Sequence, residues 1–266
     1  MEPTSPKSFG PSPQFASSSP AVLRPAIPAL SLVMPAFNEE AAIGRSLEEA
    51  CAALSRTCDR WELIVADDGS TDRSAAIVAS WSRADPRIRL VRLGENVGYS
   101  RALVAGLRAA NFDAIAYTDA DAQFDLNELP SLYAHLGRAD MVAGYRRSRE
   151  DRPARRIASR VFNTLQGWVL GTRTTDVNCA LKLFRKHFLD AVEFTSDGFL
   201  IDTEFFARAE RGGFRWHEVP VTHRPRVHGA SSVRASSVIT SLRELWRLRR
   251  SIERASHAAP AKEAPV

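Results

Sequence analysis

Ile64-Val65-Ala66-Asp67-Asp68-Gly69-Ser70-Thr71-Asp72 places three structural signals in nine residues. The apolar run that begins at Trp61 and ends at Ala66 reads as a buried strand. Asp67-Asp68-Gly69-Ser70 reads as a turn, and Thr71-Asp72 opens a helix through about Arg83. The same sequence of events lies on either side. Upstream, Leu30-Ser31-Leu32-Val33-Met34 is a strand that ends at Pro35. It is followed by Asn38-Glu39-Glu40 and a helix from about Ala41 to Leu54. Downstream, a strand over Ile88 to Leu93 passes through Asn96-Val97-Gly98 into a helix carrying Ala102, Ala105 and Ala109. Asp113 to Thr118 then forms a strand that runs into Asp119-Ala120-Asp121. Short apolar strands alternating with helices predict an α/β domain whose mostly parallel sheet is covered by helices on both faces. Further along, strands are expected at Asp140 to Tyr145 and Cys179 to Phe184, and helices at Arg155 to about Leu170 and Thr203 to Arg211.

Residues 1–28 are rich in Ser, Pro and Ala without an apolar period and are expected to be a disordered tail. The main domain covers 29–230. Residues 231–266 hold an amphipathic helix, about Ser237 to Arg254, and a tail. The chain has 266 residues, of which 44% are apolar, enough for one domain with a substantial core. A net charge of +5 favours an anionic partner: nucleotide phosphates, a phosphorylated acceptor, nucleic acid or an acidic membrane surface. Three cysteines, Cys51, Cys58 and Cys179, form no CxxC pair, so neither a disulfide framework nor a zinc finger is indicated, and a cytoplasmic setting is expected. Prolines interrupt the N-terminal region, which argues against a secretory signal. No run reaches the roughly 18 apolar residues that a membrane span needs.

In open α/β sheets, ligands bind beyond the carboxyl ends of the strands, where Asn38-Glu39, Asp67-Asp68 and Asp119-Asp121 all fall. Two carboxylates in the spacing Asp119-x-Asp121, with Gln123 as a neutral oxygen donor close by, suit Mg2+ or Mn2+, which in turn bridges nucleotide phosphates. The same spacing also occurs in ordinary loops. Asp67-Asp68 reads in part as a turn and helix cap, leaving Asp67 at the strand end to accept hydrogen bonds from a base or ribose.

Four segments carry a resemblance. Met34-Pro35-Ala36-Phe37-Asn38-Glu39-Glu40, Ile64 to Asp72, Asn96-Val97-Gly98 with Ala102 and Gly106, and Asp119-Ala120-Asp121-Ala122-Gln123 are similar in order and spacing to inverting family-2 glycosyltransferases of the GT-A (Rossmann-like) fold. The branch most resembled is that of dolichyl-phosphate mannose synthases and bacterial polyprenyl-phosphate glycosyltransferases, over about residues 29–230. The resemblance implies that Pro35, Phe37, Glu39, Asp67, Asp68, Asn96, Gly98 and Ala120 meet a nucleotide sugar, UDP- or GDP-linked, with Phe37 in place of the commoner tyrosine. Asp119, Asp121 and Gln123 would hold the metal, and Ala120 would approach the ribose through its backbone.

In the second half, Val142-Ala143-Gly144-Tyr145-Arg146, Asp176 to Phe184, Val219-Pro220-Val221 and His223-Arg224-Pro225-Arg226 with Gly229 resemble the polyprenyl-phosphate branch. There Arg146, Arg155 or Arg156, and Lys182 are candidates to meet the acceptor phosphate, arginine because its planar fork grips phosphate oxygens in pairs. The alternative for the arginines is a solvated basic loop. An ionised polyprenyl phosphate attacks without a strong general base. For a soluble hydroxyl acceptor, Asp176 or Asp202 is the candidate base, and either could instead partner an arginine. With no span, a lipid acceptor implies peripheral contact with the inner face of the membrane. Val161, Phe162, Leu165, Trp168, Val169 and Leu170 read as core or as an interfacial face, and the last helix adds dimer contact as a third reading. Polymer synthesis is disfavoured, since no Gln-x-x-Arg-Trp element is present. A silent nucleotide-sugar binder stands further back, and no nucleic-acid module is visible.

Overall fold

A computed structural model describes residues 26–147, 166–168, 170–172, 174–196, 198, 200–225 and 245–252. Arg155 and Arg156, Gly229, most of the Arg155-to-Leu170 helix and the first part of the C-terminal helix lie outside the described residues.

Seven strands form one sheet in the order β3-β2-β1-β4-β6-β5-β7. They are β1 (Ile27–Ala36), β2 (Cys58–Asp67), β3 (Ile88–Arg92), β4 (Ala114–Tyr117), β5 (Met141–Arg146), β6 (Lys182–Arg185) and β7 (Trp216–Val221). β6 pairs antiparallel with both of its neighbours, and every other pairing is parallel. Helices α1 (Ile43–Thr57), α2 (Ser74–Ala84) and α3 (Tyr99–Arg108) connect the first strands. α4 (Leu129–Leu136), α5 (Lys186–Ala191) and α6 (Leu200–Arg211) follow. The largely apolar run of β1, interrupted by the buried Ser31, reflects burial on two faces. Val33 faces α3, where a Cβ on Gly106 would lie 2.5 Å from its side chain, and Met34 lines a cavity beside Ser46 and Ala53 of α1. Gly106 is thus required where helix and sheet pack without a gap.

β1 begins at Ile27, fully buried and paired with Cys58, so the folded domain starts inside the stretch expected to be tail. Helical residues 245–252, α7, place Leu245, Leu248 and Ile252 in a buried cluster with Leu170, Leu200 and Ala207. That face of the C-terminal helix is core. Trp246 and Trp168 remain exposed, at 47% and 78%. No helix among the described residues is long and apolar enough to cross a membrane.

Candidate active site

After β1 the chain moves outward to β2 and β3, then returns to place β4 on the other side of β1. This reversal opens a crevice at the carboxyl ends of β1 and β4. Register brings the motifs to that edge: Ala36 lies beside Asp67, and the Thr118 amide donates to Val33 O at 3.0 Å, which puts Asp119 immediately past the edge.

The turns behind the crevice are built by side chains that bond backbone. Asn38, at φ +53°, accepts through Oδ1 from the Thr71 amide at 2.8 Å, and Ser70 Oγ accepts from the Asn38 amide at 3.0 Å, so the β1 and β2 turns hold each other. Asp68 is buried and accepts from the amides of Val97 at 2.8 Å and Gly98 at 3.1 Å. Its carboxylate ties the β2 turn to the Asn96–Gly98 loop and has little left for a ligand. Gly69 permits the same contact, because its φ is +69° and a Cβ there would lie 2.4 Å from the Glu95 carbonyl carbon.

Asp67 differs. It is 1% exposed, one oxygen accepts from the Ser70 amide at 3.3 Å and lies 3.8 Å from Arg92 Nε, and the other oxygen has no hydrogen-bond partner. A buried carboxylate oxygen without a donor is costly, which is the mark of a position that a ligand N–H or O–H completes. Pro35 is buried beneath this edge, Glu39 is half-buried, and Phe37 and Asn96 are exposed at its rim.

The Asp119–Gln123 turn lies across the crevice. The Gln123 amide donates to Asp121 Oδ1 at 3.2 Å, Ala122 adopts φ +55°, and Ser46 Oγ donates to Ala120 O at 2.5 Å. Ala120 therefore offers a ligand less backbone than the resemblance implied, its carbonyl being engaged by α1. The side-chain amide of Gln123 donates to Arg224 O at 2.9 Å, and the Arg224 amide donates to Gln123 O at 2.7 Å. Gln123 thus stitches this turn to the segment after β7, and Arg224 is further held by Glu49 and Asp125, both at 3.2 Å.

Burial raises the Asp119 carboxyl to about 7, with the negative charges of Asp121 and Asp202 adding to the effect and the Tyr99 hydroxyl and Lys182 opposing it. Among the described residues no three Asp, Glu, His or Cys side chains form a ready-made metal cage. A carboxylate pair suits Mg2+ or Mn2+, which keep positions open for phosphate oxygens.

Lys182 and Asp202 occupy places that sequence reasoning did not foresee. Lys182 is fully buried. Its ammonium donates to Asp202 Oδ1 at 2.5 Å, Cys179 O at 2.6 Å, Val177 O at 3.0 Å and Tyr117 Oη at 3.2 Å. The Tyr117 hydroxyl donates to the same Asp202. The acceptor-phosphate role expected for Lys182 does not fit a group with no exposed surface and four partners. Asp202 is its internal counterion, not an open base.

Arg146 is half-buried, its side chain 15% exposed. Its Nε and Nη2 donate to Asp176 at 2.6 and 2.8 Å, a bidentate pair that fixes the guanidinium plane and leaves further N–H groups to donate. Glu218 in turn accepts from the Thr175 amide at 2.9 Å, steadying the loop that carries Asp176. Sequence reasoning assigned no role to Tyr99 and Tyr117, although Tyr99 directly follows Gly98 and Tyr117 lies two residues before Asp119, and Arg224 figured there only within the His223–Arg226 segment.

Comparison with known proteins adds the family. In sequence, the chain is 35% identical over 206 residues to the dodecaprenyl-phosphate galacturonate synthase of Rhizobium johnstonii, covering 76% of this chain and 61% of that protein. It is 31% identical over 221 residues to the undecaprenyl-phosphate 4-deoxy-4-formamido-L-arabinose transferase of Aeromonas hydrophila, covering 81% of this chain and 66% of that protein. The chain thus spans less than two thirds of the length of these relatives. In structure, it resembles the glucosyl-3-phosphoglycerate synthase of Mycobacterium tuberculosis, solved with Mn2+, UDP and glucosyl-3-phosphoglycerate, at a TM-score of 0.60. There the identity is 19%, with 90% of this chain and 83% of that one covered. The sheet order and these neighbours establish the α/β, GT-A-like fold. The model of glycosyl transferase family 2 matches residues 31–192, more than half of the chain. The chain belongs to glycosyl transferase family 2.

Proposed function

We propose that this protein transfers a sugar from a nucleotide sugar to the phosphate of a polyprenyl-phosphate carrier, inverting the anomeric carbon and using Mg2+ or Mn2+. The observation that carries the reading is the pairing, at one sheet edge, of a buried Asp67 oxygen lacking a donor with the Asp119–Asp121 carboxylates. The names of the two relatives, both polyprenyl-phosphate sugar enzymes, support the acceptor.

Asp67 receives an N–H or O–H of the nucleoside, with Pro35 beneath it and Phe37 at the rim. Asp119 and Asp121 would hold the divalent cation, which would supply neutralisation of the negative charge on the departing diphosphate. Arg146, braced by Asp176, aims its remaining N–H groups at the acceptor phosphate. A phosphate oxygen of the acceptor forms the new bond to the anomeric carbon from the face opposite the diphosphate. The sugar–diphosphate bond breaks and its electron pair leaves with the nucleoside diphosphate. The acceptor is already an anion near neutral pH, with a second pKa around 6, so no proton need be removed. Asp176 is thereby a positioning carboxylate for Arg146. The acceptor being a lipid phosphate, the protein works at the inner membrane face from the cytoplasmic side, as a peripheral partner of the lipid surface, with no role for nucleic acid.

The test incubates purified protein with UDP- and GDP-sugars and Mn2+, with and without polyprenyl phosphate, beside Asp121→Ala. The expected result is sugar on the lipid phosphate in wild type and a loss of at least about 100-fold in the variant. Transfer to added hydroxyl compounds, with none to the lipid, would overturn the acceptor assignment.

A further inference from the structure

The proposed function makes no use of Tyr99, yet this residue makes a direct side-chain contact to the acidic pair. Its hydroxyl donates to Asp119 Oδ1 at 3.0 Å. A carboxylate on a loop rotates about its last side-chain bond, and a cation ligand gains affinity when one oxygen is fixed so that the other is aimed. We propose that Tyr99 is the positioning residue that orients Asp119 for the cation, an inference that rests on reading Asp119 and Asp121 as cation ligands.

Three anchors keep the Tyr99 hydroxyl in place. The Asp68 carboxylate holds the amides of Val97 and Gly98 immediately before it. Ser100 Oγ, immediately after it, donates to Gly198 O at 2.5 Å. One face of α3 lies flush on the sheet, because Gly106 leaves no gap to Val33 and Ala66. The ring itself packs against the main core. A tyrosine held on both sides in this way sets the position of its partner. Tyr117, Asp202 and Lys182 form a second buried polar group behind the pair, near enough for the charges of Asp202 and Lys182 to act on Asp119. That group contributes charge, whereas Tyr99 contributes the directional contact. The arrangement also explains why the first turn of α3 is tied down so heavily when α3 carries none of the acidic residues.

The test measures binding of Mn2+ alone to the full chain, by the electron paramagnetic resonance of free Mn2+, for wild type, Tyr99→Phe, Tyr117→Phe and Asp121→Ala. Tyr99→Phe keeps the ring and removes the hydroxyl. Its Kd for Mn2+ is expected to rise about tenfold, the lower end of what outer ligand partners control. The Mn2+ concentration giving half-maximal transfer should rise in step, with kcat at saturating Mn2+ within about twofold of wild type. Tyr117→Phe removes a hydroxyl from the same interior but none from Asp119, and should bind Mn2+ within about threefold of wild type. Unchanged Mn2+ affinity in Tyr99→Phe overturns the inference. So does an equal loss in Tyr117→Phe, which would mean general loosening. Wild-type binding that is absent, or indifferent to Asp121→Ala, removes the cation reading and the inference together.

Discussion

Replacing Lys182 by Met separates two accounts of this residue, an acceptor ligand or an internal counterion. The side chain has no exposed surface and its ammonium serves Asp202, Tyr117 and the carbonyls of Val177 and Cys179. Methionine matches the length of the stem, so the packing loss is small and the cost is electrostatic. Removing one partner of a buried pair leaves an uncompensated charge and costs about 3–5 kcal/mol. The two orphaned carbonyls belong to that same cost and are not counted again. For a domain of this size each kcal/mol moves the melting temperature by about 2–4 °C, so Lys182→Met should lower it by roughly 10 °C in a calorimetric scan. Lys182→Met with Asp202→Asn should recover much of the loss, giving a coupling energy of about 2 kcal/mol in the double-mutant cycle. A variant that melts within about 2 °C of wild type while its KM for polyprenyl phosphate rises would refute the counterion account and return Lys182 to the acceptor.

Asp119→Asn should stabilise the metal-free protein at pH 8 by about 1–3 kcal/mol and do little at pH 4. The sign follows because burial raises this carboxyl from 3.8 to about 7: the unfolded chain ionises first, so the destabilisation grows as pH rises from about 4 to 7 and is complete above that; melting curves at the two pH values, with EDTA present, check it. Gly69→Ala should cost about 2–4 kcal/mol and weaken nucleotide-sugar binding, measured by urea unfolding and calorimetric titration, because the new Cβ would lie 2.4 Å from backbone at Glu95 and at φ +69°.

The central half of the fold was legible in sequence because its strands are largely apolar runs that stop at chemically distinct residues. Pro35, Asp67 and Asp119 mark the ends of β1, β2 and β4, and all three lie at one sheet edge in the structure. The outer elements were harder to read. β7 alternates between buried and open positions and contains Pro220, a residue that edge strands tolerate but that breaks a strand pattern in sequence. α4 and α5 have eight and six residues, too short for a helical period to register. Lys182 shows the limit for the site. It sits in the expected strand, yet its partners Tyr117 and Asp202 come from 65 positions before and 20 after. Lysine is rarely fully buried unless paired, so an open phosphate-binding role was the natural expectation.

The same pairing bears on the divalent ion proposed for the site. Asp119, Asp121 and Asp202 bring three carboxylates together, and the Lys182 ammonium sits against the innermost of them. With Asp202 matched by Lys182, the charge left over belongs to Asp119 and Asp121 at the open edge. The buried lysine thus acts at a distance from the chemistry. By matching Asp202 inside the protein it leaves Asp119 and Asp121 as the carboxylates at the crevice.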